Sequence, residues 1–190
     1  MIVVVPCDAL ESQKATLAAA FNNQPTYLRF AREKTPIFTT EETPFEIGKA
    51  LVLRDIEDAR PSEAPEERRR VAIIGCGPLL HNALVAAEEL SKEGIEAAVV
   101  NSRFVKPLDA ALFKTLSKNS KLIFTVEEGI IDGGFGSAVS EATGLVVIRM
   151  GLPCEFIAQG KRSILLEKYG LTARGIADKI KQEYGKNNHR

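Results

Sequence analysis

The sequence has little of what usually builds a catalytic or metal centre, and no excess of either charge. It has two histidines, His81 and His189, far apart and with no G-x-S-x-G or comparable nucleophile motif beside either, so a histidine-based triad is not supported. Its three cysteines, Cys7, Cys76 and Cys154, form no C-x-x-C pair, which argues against a disulfide framework and a zinc site and in favour of a reducing cytoplasm. There is no H-E-x-x-H, acidic metal cluster or P-loop, so no metal ligands are expected in this chain. Twenty-five basic side chains cancel twenty-five acidic ones, leaving no whole-chain field to hold nucleic acid or an anionic membrane. No apolar stretch approaches the roughly 18 residues of a membrane helix, and the run Ile2 to Val5 is too short for a secretory h-region. A cytoplasmic protein without membrane or nucleic-acid partners is expected.

What is present fits an ordinary globular chain: 190 residues, 45% hydrophobic and 26% charged, enough for one generous domain or one domain and part of another. Ile2-Val3-Val4-Val5 reads as a buried strand, Asp8 as the cap of a helix from Ala9 to Phe21, and Thr26 to Phe30 as a second strand parallel to the first. Two strands and a helix cannot bury both faces of a sheet. This opening unit therefore either continues a domain whose other strands lie elsewhere or leans on the rest of the chain. The Thr-, Glu-, Lys- and Pro-rich stretch from Glu33 to Pro44 marks a boundary, giving an opening unit over 1–40, a linker with one strand (Phe45 to Arg54) and a solvated charged excursion over 41–70, and a main domain over 71–190.

The main domain alternates: strands at Val71 to Ile74, Glu96 to Val100, Leu122 to Val126 and Leu145 to Arg149, and helices at Leu79 to Ser91, Asp109 to Leu116 and Phe135 to Ala142. Helices at Ser163 to Tyr169 and Thr172 to Tyr184 follow, then a polar tail from Gly185. The pattern predicts an α/β fold of three layers, a mostly parallel sheet with right-handed crossovers and helices on both faces.

Candidate chemistry is local. Gly75-Cys76-Gly77 follows a strand and opens a helix, but Leu80 stands where a dinucleotide fingerprint needs glycine, so a tight strand-to-helix turn is the better reading. Gly133-Gly134-Phe135-Gly136-Ser137 also starts a helix, downstream of Glu127-Glu128. It reads either as an anion nest or paired-carboxylate site, or as a crossing that tolerates no Cβ, with the glutamates at an interface. Ile130, Ile131 and Phe135, set among these glycines, ask for cover by another surface. Arg29 and Arg32 leave the end of the second strand, where ligands of parallel α/β sheets collect, and could fork onto a phosphate or carboxylate.

Several segments together carry a family resemblance over nearly the whole chain. They are Tyr27-Leu28-Arg29-Phe30-Ala31-Arg32, Glu46-Ile47-Gly48-Lys49-Ala50 with Val52-Leu53-Arg54, and Asn101-Ser102-Arg103-Phe104-Val105-Lys106-Pro107-Leu108-Asp109. Thr125-Val126-Glu127-Glu128-Gly129 with Gly133 to Val139, Gly151-Leu152-Pro153 with Phe156-Ile157, and Tyr169-Gly170-Leu171 to Gly175-Ile176 complete the set. The chain resembles the C-terminal part of the transketolase-like thiamine diphosphate enzymes, in particular the 1-deoxy-D-xylulose-5-phosphate synthases.

The resemblance implies a transketolase C-terminal domain preceded by a strand-helix-strand remnant of the domain that binds the cofactor's pyrimidine. In such a parent, a homodimeric transferase, pyruvate and glyceraldehyde 3-phosphate combine with loss of carbon dioxide to supply isoprenoid, thiamine and pyridoxal synthesis. Thiamine diphosphate and magnesium serve the parent. This chain has no counterpart of the Gly-Asp-Gly cofactor motif and no activating glutamate, so it is expected to contribute no catalytic, cofactor-binding or metal residue and to be inactive alone. Arg32 matches the arginine that holds the aldehyde's phosphate, and Arg29 its neighbour. The family usually follows that arginine with glycine; Glu33 stands here and opposes anion binding. The other domains would come from the same polypeptide or from a separate subunit of a split transketolase. A non-catalytic α/β interaction domain that keeps the fold is the remaining alternative.

Overall fold

The computed structural model describes residues 1–56 and 69–187. Most of the expected charged excursion, and His189, lie outside the described residues.

The opening unit forms as its sequence dictates. Strand β1 (Ile2–Val4) runs parallel to β2 (Thr26–Leu28), and α1 (Ala9–Phe21) connects them. Asp8 caps α1 by accepting from the Glu11 amide at 2.9 Å. The sheet is completed by a strand not anticipated from the pattern. β6 (Phe104–Lys106) pairs antiparallel with the free edge of β1, in the order β2-β1-β6. Three residues are too few to show a period, so only the long-range pairing reveals it. The opening unit thus leans on the rest of its own chain.

The expected strand from Phe45 to Arg54 is shorter, confined to β3 (Leu51–Arg54). Phe45 and Ile47 instead pack on a small core of Ile2, Val4, Ala15 and Phe104, and Gly48 turns the chain at φ 80°.

The main sheet has five strands in the order β3-β5-β4-β7-β8, comprising β3, β4 (Arg69–Gly75), β5 (Ile95–Asn101), β7 (Leu122–Ile130) and β8 (Ile148–Leu152). All pairings are parallel except β3 with β5. β8 begins later than the expected Leu145, because Gly144 closes the preceding helix in the left-handed region and leaves Val146 91% exposed before pairing resumes at Ile148.

Period-two alternation along β4 sorts the layers. Val71 and Ile73 face α2 (Leu79–Lys92) and α6 (Ala173–Asn187), with Leu166 of α5 (Arg162–Lys168) in the same core. Ala72 and Ile74 face α3 (Ala110–Asn119) and α4 (Phe135–Thr143) through Phe113, Phe135 and Val139. The fold is the expected three-layer α/β arrangement. α6 continues through Gly185, where a tail was expected to begin. Phe135 is buried in this core rather than offered to a partner, whereas Ile130 remains exposed. β4 has β5 on one side and β7 on the other, so the strand order reverses at β4, and the crevice above its carboxyl end is where such sheets place ligands.

Candidate functional site

The crevice at the end of β4 is a cleft of about 400 Å³ between the opening unit and the main domain. Cys76 and Gly77, at the turn from β4 into α2, line it together with Glu128 of β7. The opening unit contributes Arg29, Arg32 and Glu33, and the main domain adds Arg162 at the start of α5. The two arginines expected at the strand end thus reach one cavity. Both are exposed, and their guanidinium groups have no hydrogen-bonded or ion-pair partner among the described residues.

The first glycine-rich turn is structural. A Cβ on Gly75 would come within 2.5 Å of the Val126 side chain, and Gly77, at φ 74°, donates its amide to the Val5 carbonyl at 3.2 Å. Gly75 lets β4 pack against β7, and Gly77 lets the main domain approach the end of β1, where a Cβ would come within 3.0 Å of the Val5 side chain. The Cys76 thiol between them is pushed up to about 12, first by burial and then by the nearby Glu127 carboxylate, while Arg29 pulls the other way. Burial and the Glu127 charge both favour the protonated thiol, the less nucleophilic form.

The second glycine-rich turn is an anion nest, and the chain fills it itself. Glu127 accepts from the Phe135 amide at 2.7 Å and from the Gly136 amide at 2.9 Å. A Cβ on Gly134 would come within 2.2 Å of that carboxylate, and one on Gly136 within 2.4 Å of the Thr125 hydroxyl. Both alternatives read from the sequence thus hold in part: the amides bind an anion, and the crossing tolerates no Cβ. The adjacent glutamates are not a catalytic pair, because Glu127 caps α4 while Glu128 accepts from Arg162 through both carboxylate oxygens, with Arg162 Nε at 3.0 Å. Those hydrogen bonds raise the Arg162 pKa; burial opposes them, and the Glu33 charge adds to the rise.

The opening unit is fixed over this cleft by a sealed network. Glu11 on α1 is 1% exposed and accepts from Arg103 Nε at 2.6 Å, from Asn101 Nδ2 at 2.9 Å and from the Cys7 amide at 2.7 Å. Arg103, with its backbone at φ 58°, also donates to the Pro44 carbonyl at 2.7 Å and lies over the Phe45 ring. Every charge here is paired and hydrogen-bonded, which a buried ion pair requires.

Comparison with known proteins places the fold in a family. The family described as "Transketolase, C-terminal domain" matches residues 62–176. The chain belongs to that family. The 1-deoxy-D-xylulose-5-phosphate synthase of Syntrophotalea carbinolica is 37% identical over 190 residues, covering 95% of this chain and 28% of that protein. The enzyme of the same name from Listeria monocytogenes is 36% identical, covering 96% of this chain and 29% of its own length. A solved structure described as "Split gene transketolase, inactive beta4 tetramer" is 32% identical with a TM-score of 0.84, covering 96% of this chain and 57% of that one. The chain therefore spans under a third of the length of these synthase relatives.

Among the described residues, no group of three or more His, Cys, Asp or Glu side chains could hold a metal ion. The glycine-rich anion nest at the start of α4 is occupied by Glu127. His81, half-buried, lies against Phe38 with ring centroids 6.0 Å apart and does not line the cleft. No helix of the described residues is long and apolar enough to cross a membrane. Arg162 is the cleft residue that sequence reasoning missed. Its only local signal is the basic pair Lys161-Arg162 after Gly160, and nothing there points to Glu128.

Proposed function

We propose that this chain is the C-terminal portion of a transketolase-type transferase acting as a 1-deoxy-D-xylulose-5-phosphate synthase. In it, Arg32, assisted by Arg29, holds the phosphate of glyceraldehyde 3-phosphate while pyruvate supplies the other carbons. The observation that carries this reading is the two guanidiniums just beyond the carboxyl end of β2, unpaired among the described residues and lining the cleft at the strand-order switch. Charge-assisted, fork-shaped donors there suit a phosphate monoester.

Thiamine diphosphate with magnesium would supply the carbanion chemistry, and the residues for holding it would come from the remaining domains. This chain's own part is to bind and orient the aldehyde and to keep the opening unit in register over the cleft. The remaining domains belong to the same polypeptide or to a separate subunit, the second being the arrangement that the split-gene neighbour's name describes, and two copies are expected to associate in a cytoplasmic enzyme.

The test is Arg32→Ala in the complete enzyme. Apparent affinity for glyceraldehyde 3-phosphate should fall by about 10- to 150-fold, the equivalent of roughly 1.5–3 kcal/mol, with that for pyruvate nearly unchanged. Equal loss for both substrates would make Arg32 structural. Calorimetric titration of the 190-residue chain with thiamine diphosphate and magnesium should give no saturable heat.

A further inference from the structure

The wall of the cleft carries a half-buried charge pair: Arg162 and Glu128 are 32% and 24% exposed. The pair is bidentate, and Glu128 is fixed on a central strand beside the fully engaged Glu127. A guanidinium has five N–H donors. Glu128 takes two, leaving three on a fork held in one orientation at the wall of the cleft. Arg29 and Arg32 reach the same space from the opening unit. Against these three cations stand two carboxylates, Glu33 and Glu128, so the lining keeps a net positive charge.

We propose that Arg162 is a third anion-binding residue of this cleft, oriented by Glu128, and that it grips the same phosphate or carboxylate group as Arg32 from the main-domain side. This rests on reading the cleft as an anion seat. It adds that an anion seated there bridges the opening unit and the start of α5, with Glu128 as the positioning residue. Glu33 lines the same cleft, and its charge acts on Arg162.

The experiment titrates the full 190-residue chain, nitrogen-15 labelled, with inorganic phosphate and with glycerol phosphate, following the arginine Nε–Hε resonances. Arg174, an exposed arginine of α6 paired with Asp178, is the internal reference. The Arg32 and Arg162 signals should move along one saturation curve while Arg174 stays still. Arg162→Ala should weaken binding about ten-fold or more. Arg162→Lys should remain weak because it keeps the charge without the fork, and Glu128→Gln should weaken binding with Arg162 unaltered. If Arg32 moves alone and Arg162→Ala binds normally, this proposal falls and the phosphate seat stands. If Arg162 moves alone, the shared grip is wrong and so is the assignment of Arg32. If neither moves, or Arg174 moves equally, both readings fall. Should Arg162→Ala not fold, the wild-type resonances and Arg162→Lys still decide.

Discussion

The opening unit meets the main domain at two places that handle charge in opposite ways. At the Glu11–Arg103–Asn101 network the two charges pair with each other and the group is sealed, with Glu11 and Arg103 1% and 2% exposed. At the cleft, Arg29 and Arg32 have no hydrogen-bond or ion-pair partner for their guanidinium groups among the described residues, and Arg162 keeps three donors unengaged among them. The same residue type, at two edges of one interface, fixes the structure where it is satisfied and is available to a ligand where it is not.

The comparison breaks most severely if the sealed side is opened. Glu11→Ala strands the Arg103 guanidinium in the interior and should cost about 3–5 kcal/mol, read as a lower urea midpoint. Arg103→Ala should cost a similar amount. Glu11→Leu combined with Arg103→Met should recover much of the loss, since apolar replacement of a whole buried pair is close to neutral. An additive loss in the double variant would show that the two residues act separately.

The sequence made one of these places legible and hid the other. Asp8 as the cap of α1 and Arg29 with Arg32 at a strand end follow from local rules, so they could be read without the fold. The partners of Glu11 lie 90 and 92 residues away, and no periodicity in α1 announces an acid buried against them. Asn101-Ser102-Arg103 was visible as a motif, but its role depends on β6 joining the opening sheet. The nest at Gly133 to Ser137 was legible as an anion site, while its occupant, eight residues upstream of Phe135, could equally have faced an interface. Arg162 depends on a contact across 34 residues and gave no local sign of it.

A smaller effect, still on the sealed side, comes from pH. Burial alone would raise the Asp8 pKa, but hydrogen bonds from the Glu11, Phe38 and Thr39 amides and the Thr39 hydroxyl outweigh it and hold the carboxyl below its ordinary value. A depressed folded-state pKa means that the unfolded chain takes up the proton first. The stabilisation is therefore fully present above the ordinary aspartate value, near about 4, and is lost as pH falls through the folded-state pKa. Asp8→Asn should cost about 1–2 kcal/mol at neutral pH and should flatten the fall of stability with acid. An unchanged acid limb would show that other carboxylates dominate it.

The smallest expected effect sharpens the open side. Glu33 follows Arg32 directly, and its carboxylate shares the cleft with Arg32 and Arg162. At the surface, an effective dielectric near that of water leaves a single like charge worth about 1 kcal/mol against an anion a few ångströms away. Glu33→Gly should therefore tighten phosphate binding several-fold, about five-fold, and Glu33→Gln should give most of that gain by removing the charge while keeping the side chain. The gain should shrink as salt is raised, because screening acts on exposed charges first. Neither variant should move the urea midpoint much, since Glu33 is exposed and makes no hydrogen bond through its side chain among the described residues. A gain from glycine with none from glutamine would assign the effect to backbone freedom in the segment after β2 instead of to charge. Weaker binding in both would mean that Glu33 helps to hold Arg162 in place, and the cleft would then depend on its acids as much as on its arginines.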